Sequence, residues 1–225
     1  QAKVLSEFFA TNPQDTEDYR NLNWAMEIVR RYNDRYSIEE FQLLEDAAGE
    51  VQVEMSFALL LFTYRTSNPH EGLPFEVPVI YIGRIDLPVI WDGQLFILDH
   101  KTTSILGPQF GDKMKMSAQQ KGYVWAFEQL SGKKVAGYCI NAIRVKEPPA
   151  YLTDPNSTRK GKNTVESWWQ ESFNRERYFL QPGELDEWKT NVIALISEMF
   201  YHYRNDYMPM KTTWCNQYGR CQYFD

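Results

Sequence analysis

Apolar positions along the chain change period several times, and each change predicts an element. Within residues 14–47, Leu22, Trp24, Ala25, Ile28 and Val29 recur at helical spacing, and Tyr32 and Tyr36 continue that face. Asp15 and Thr16, ahead of Glu17 and Asp18, mark a helix start. From Glu50 the period falls to two. Val51, Val53, Met55, Phe57 and Leu59 alternate, which predicts a strand running on through Leu61 and Phe62. Ser67 to Pro74 reads as a loop and Val77 to Thr103 as a hairpin. Met114 to Leu130 reads as a helix closed by Ser131-Gly132, and Val135 to Val145 as a strand rich in β-branched and aromatic residues. Residues 146–163 form a polar, basic loop with Pro148, Pro149, Arg159, Lys160 and Lys162. Thr164 to Tyr178 fits helix or strand. Leu185 to Asn205 is a predicted helix with Trp188, Val192, Leu195, Ile196, Met199 and Tyr203 on one side. The order helix, strands, helix, strand, helix predicts a mixed α/β (α+β) fold, a central mixed β-sheet flanked by helices in a single domain over 1–225.

The hairpin carries the candidate chemistry. Asp92-Gly93 between two apolar runs is a strong two-residue turn signal, and a tight turn sets the register. Trp91 should then face Gln94, Ile90 should face Leu95, and Asp86 should lie opposite Asp99. Alternation puts Asp86, Asp99 and Lys101 on one side, and Ile85, Leu87, Val89, Phe96 and Leu98 on the apolar side. Residues directly opposite have Cβ atoms about 5 Å apart, so the two aspartates would repel unless a cation lay between them. Two carboxylates and a backbone carbonyl suit a hard ion, Mg²⁺ or Mn²⁺. Pro88 warns of an edge or a bulge that would shift this register. By the same alternation the His100 ring should point away from the pair.

Charge and cysteine usage narrow the class. A net charge of −6, from 30 acidic and 24 basic residues, excludes a protein that holds nucleic acid by its overall charge, and leaves local basic patches for that task. The three cysteines, Cys139, Cys215 and Cys221, are too few for a disulfide scaffold and fit a reducing cytoplasm. No apolar run reaches the roughly 18 to 20 residues that span a bilayer, and no signal peptide is visible. The first residue is Gln1, not Met, which fits a chain that has lost an upstream segment.

Gly83-Arg84-Ile85-Asp86, a short gap, Leu98-Asp99-His100-Lys101-Thr102-Thr103, and then Gln119-Gln120-Lys121-Gly122-Tyr123 resemble the PD-(D/E)XK nuclease core, in particular its RecB-like, phage-type exonuclease branch. The match covers residues 50–145. The resemblance implies a restriction-endonuclease-like core and a metal-dependent DNA nuclease. Asp86, Asp99 and the His100 backbone carbonyl would hold Mg²⁺ or Mn²⁺. Lys101 would activate the attacking water, and Gln119 and Tyr123 would place the scissile strand. RecB-like proteins usually add an upstream histidine as ligand. His70 and His202 are poorly placed for that, and Glu54 is the substitute candidate. Relatives that bind an iron–sulfur cluster use four cysteines. Cys215 and Cys221 do not make such a site, so no cluster is expected. Arg84, and Arg159, Lys160 and Lys162 near Trp168 and Trp169, are candidate DNA contacts, and Arg175 and Arg177 would share a strand face.

The function expected is thus phosphodiester hydrolysis in DNA processing, recombination or repair, by an exonuclease of a phage or bacterial cytoplasm. DNA is the partner, no membrane is involved, and protein partners or a homo-oligomer are left open. A non-catalytic nucleic-acid-binding or scaffold subunit is the alternative, and intact Asp86, Asp99 and Lys101 argue against it. A carbohydrate-binding protein, suggested by 14 Tyr, 13 Phe and 7 Trp, leaves the opposed aspartates unexplained.

Overall fold

A computed structural model describes Glu7, Ala10 and residues 21–65, 76–154, 156–157 and 164–207. The loop predicted at Ser67–Pro74, the basic residues Arg159, Lys160 and Lys162, His70, Cys215 and Cys221 lie outside the described residues. The chain divides into two compact units, residues 1–57 with 83–182, and residues 58–82 with 183–225.

The first unit is built on a five-stranded mixed sheet. Its strands are β1 (Gln42–Leu43), β4 (Leu87–Trp91), β5 (Gln94–Thr103), β6 (Gly137–Arg144) and β7 (Phe173–Phe179), in the order β1-β4-β5-β6-β7. β5 and β6 run parallel, and the other neighbours are antiparallel. The predicted mixed sheet with flanking helices is therefore present. One face carries α1 (Leu22–Arg35), whose Trp24, Ile28 and Tyr32 pack on a core of Trp168, Trp169 and Phe173. Beside it Val89, Trp91, Phe96, Leu98 and Cys139 form a second cluster. On the other face lie α2 (Pro108–Lys115) and α3 (Ala118–Ser131), and α3 buries Val124, Trp125, Ala126 and Phe127.

Several expected boundaries move. The helix expected over 14–47 stops at Arg35. The Tyr36 ring is taken by the Arg175 guanidinium, 3.6 Å from its centroid, and Phe41 packs on Trp91. The single helix expected over 114–130 is two. The Tyr138 hydroxyl donates to the Met114 and Lys115 carbonyls at 3.1 and 2.9 Å, so the open end of α2 is satisfied from the sheet and the chain turns at Met116. Gly132, at φ +67°, then closes α3. The ambiguous stretch from Thr164 begins as a helix, α5 (Val165–Gln170), because Thr164 and Ser167 form a reciprocal cap, and continues as β7. Ahead of that stretch, α4 (Ala150–Thr153) interrupts the predicted basic loop.

β6 and β7 approach closely at Gly137. A Cβ there would run into the Tyr178 carbonyl oxygen. Gly137→Ala is expected to destabilise the protein by about 1–3 kcal/mol, because backbone must move to admit the methyl. Thermal unfolding checks it, and an unchanged midpoint would show that β7 yields freely.

The second unit contains most of a two-stranded ribbon, β2 (Met55–Arg65) and β3 (Glu76–Ile85), and α6 (Glu184–Arg204). Trp188 packs on Tyr81, and Phe200 stacks on Tyr64 with centroids 4.3 Å apart. The strand expected from Val51 starts instead at Met55, after Glu54 takes a positive φ of 51°. Among the described residues, no helix is long and apolar enough to cross a membrane.

Candidate active site

The site lies where β3 gives way to β4, against the middle of β5. The Val77–Thr103 segment is three strands rather than one hairpin. β3 pairs with β2, the chain bends at Asp86, and β4 then enters the main sheet. The register expected from Asp92-Gly93 holds, from Trp91↔Gln94 to Leu87↔Leu98, with Asp92 and Gly93 at φ +50° and +74°. Pro88 causes no bulge. Its carbonyl accepts from Leu44, so its missing N–H also faces β1, which is two residues long.

Asp86 sits one residue beyond this ladder. Its carboxylate accepts the His100 backbone N–H at 3.0 Å, while its own carbonyl accepts from Glu54 at 2.9 Å. Leu95 and Thr103 turn their carbonyls to the β6 side, accepting from Ala136 and Val145. His100, at an even position, therefore turns both its amide and its carbonyl to the Asp86 side.

Asp99 exposes 2% of its surface. The Lys101 ammonium stands 2.7 Å from its carboxylate and pairs with it. Burial pushes the Asp99 carboxyl above its ordinary range. Lys101 opposes that shift and the neighbouring Asp86 charge adds to it. Lys101 also donates to Gln119 at 3.0 Å, and Gln119 donates to the Tyr123 hydroxyl at 2.9 Å. Gln119 and Tyr123 are four apart on α3, so one helix face delivers both. Tyr123 meets Phe57 edge-on, and both rings press on Gly83, where a Cβ would lie 2.7 Å from Phe57 and 3.2 Å from Tyr123. That contact gives the glycine before Arg84 a physical reason.

Asp86, Asp99, Lys101, Gln119 and Tyr123 are thus brought together with the His100 peptide. Glu54 is not. Its side chain pairs with Arg84 at 3.0 Å and is 60% exposed, and among the described residues no third acidic, histidine or cysteine side chain completes a metal cluster. The donors fit a hard divalent cation nonetheless. Both side chains are carboxylates, and the buried Asp99 oxygen faces the Lys101 ammonium at 2.7 Å. Arg177, 30% exposed, pairs with Asp92, and Arg175 is 3% exposed and paired with Glu39, so of the two only Arg177 reaches the surface. Cys139 is buried, which pushes its thiol up to about 12. His202 stands 3.4 Å from Glu198.

Sequence reasoning missed two buried amides. Gln120, fully buried, faces the Asp99 neighbourhood from α3. Asn141, fully buried, contacts the His100 ring. A lone polar residue inside the apolar run Tyr138–Ile143 was the available signal for the second.

The family model of the PD-(D/E)XK nuclease superfamily matches residues 1–225. The chain belongs to the PD-(D/E)XK nuclease superfamily. The sheet, its flanking helices and the Asp-x-Lys strand agree with that membership. A search of curated proteins finds no match.

Proposed function

We propose that this PD-(D/E)XK protein is a Mg²⁺- or Mn²⁺-dependent deoxyribonuclease, acting as an exonuclease in DNA processing, recombination or repair in a phage or bacterial cell. The observation that carries the reading is the buried Asp99 carboxylate, set between the Lys101 ammonium and the Asp86 corner. A fold retains so costly a charge where a bound cation repays its desolvation. The exonuclease preference rests on the RecB-like pattern that Gln119 and Tyr123 complete.

Asp86 and Asp99 would hold the cation with the His100 carbonyl, and such an ion would supply polarisation of the scissile phosphate and of the attacking water. Lys101 orients that water and offsets charge growing on the phosphate. Gln119 fixes the ammonium and, with Tyr123, presents polar groups to the substrate strand. Arg84 and Glu54 form an exposed pair worth little by itself, so Arg84 can exchange its partner for a DNA phosphate.

Metal removal tests this directly. End-labelled single- and double-stranded DNA should be cut with Mg²⁺ or Mn²⁺ and left intact in EDTA, and the product ladder separates terminal from internal cleavage. DNA binding without cleavage by either metal would instead favour a scaffold subunit.

A further inference from the structure

Behind the candidate site, on the opposite face of the sheet, a buried polar chain ends on the His100 ring. Asn141 lies beside His100 across the parallel β5–β6 pair and exposes none of its surface. Its side-chain nitrogen is 2.7 Å from His100 Nδ1 and 2.6 Å from the Tyr32 hydroxyl. Arg175, on β7, donates to the Asn141 carbonyl oxygen at 3.3 Å and to Tyr32 at 2.7 Å. Arg175 is itself held by Glu39 and stacks over Tyr36.

Donor and acceptor roles are consistent throughout. Arg175 only donates, so the Asn141 oxygen accepts and its nitrogen points at Tyr32 and His100. Asn141 thus gives one hydrogen to the Tyr32 oxygen and one to His100 Nδ1, and the imidazole proton sits on Nε2. His100 keeps more than a third of its surface exposed, so this grip is local to one ring edge.

The His100 backbone, amide on one side of its Cα and carbonyl on the other, is the part of β5 whose orientation matters most to the carboxylates. The β4 ladder ends at Leu87↔Leu98, and past it the Asp86 carboxylate meets the His100 amide. A rotation of the backbone about the His100 Cα, whose amide lies in one peptide plane and whose carbonyl lies in the next, moves both Asp86 and the carbonyl facing the cation. The ring is the lever on the other face, and Asn141 holds it.

We propose that Asn141 is a positioning residue for the metal site: through the His100 ring, and braced by Tyr32 and Arg175, it sets the His100 backbone, whose amide anchors Asp86 and whose carbonyl faces the cation. This rests on the metal-dependent reading above. Groups behind metal ligands commonly change metal affinity about 10–100-fold when removed.

The test is Mn²⁺ binding to the full chain without DNA, read by electron paramagnetic resonance of free Mn²⁺ well below each variant's unfolding temperature. Asn141→Ala should weaken binding about tenfold, and His100→Ala by a similar factor. The double variant should bind no more weakly than His100→Ala, because Asn141 acts through that ring. A residue that only fills the core would lower thermal stability and leave the Mn²⁺ isotherm unmoved. If Asn141→Ala does not fold, Tyr32→Phe carries the same comparison, with a loss of about threefold that vanishes in the His100→Ala background. Unchanged affinity in the single variant, or losses that multiply in the double, would overturn the inference while leaving the metal site standing. Wild-type protein that binds Mn²⁺ no better than Asp99→Asn would overturn the metal reading itself.

Discussion

Asp99→Asn should lower metal-dependent DNA cleavage by about three orders of magnitude, while the metal-free protein loses no thermal stability. The activity loss follows from charge. An amide keeps the volume and one oxygen of the carboxylate but cannot neutralise a divalent cation. A bound metal supplies several kcal/mol of transition-state stabilisation, and each 1.36 kcal/mol is tenfold in rate. The stability argument runs the other way. Asp99 exposes 2% of its surface, and burial pushes its carboxyl upward, so the charged form is costly when no metal is bound. Asparagine removes that cost, and Lys101 keeps Gln119 as an acceptor. Initial rates on end-labelled DNA at saturating Mn²⁺, with thermal unfolding in EDTA, check both halves. Cleavage within tenfold of wild type would exclude Asp99 as a ligand. A large fall in unfolding temperature would make it chiefly the structural partner of Lys101.

Much of this geometry was legible because turn chemistry and strand period are local. Asp92 and Gly93 adopt the left-handed backbone that a tight hairpin requires, and with that turn placed, alternation puts Asp99 and Lys101 on the face away from Phe96 and Leu98. Gln119 and Tyr123 follow from helical spacing, even though the helix carrying them starts four residues later than expected. What stayed hidden depends on partners distant in sequence. β3 leaves the main sheet for β2, which makes Asp86 a corner rather than a rung, and no local pattern reports that exchange. Tyr36 continues the helical face in sequence, yet Arg175, far along the chain, takes its ring and helps end the helix. Glu54 is a reasonable third ligand by sequence, but its side chain pairs with Arg84 instead.

Lys101→Ala should separate binding from chemistry. The ammonium stands 2.7 Å from the Asp99 carboxylate and is 28% exposed, so it competes with any cation for that oxygen while remaining open to substrate. Its removal should leave Mn²⁺ affinity unchanged or raise it, in contrast to Asp99→Asn, because one positive charge is withdrawn from the carboxylates. Turnover should fall about 10²–10³-fold, the usual loss when one preorganised donor to developing charge is deleted. The loss should appear in kcat with little change in KM for DNA, since the interaction is made mainly in the transition state. Gln119 loses its donor, and its amide can still hold Tyr123 at the rim. Single-turnover cleavage at saturating Mn²⁺, set beside a Mn²⁺ isotherm, measures both quantities. Weaker metal binding in Lys101→Ala would mean that the ammonium organises the carboxylates. Turnover within a few-fold of wild type would remove Lys101 from the chemistry.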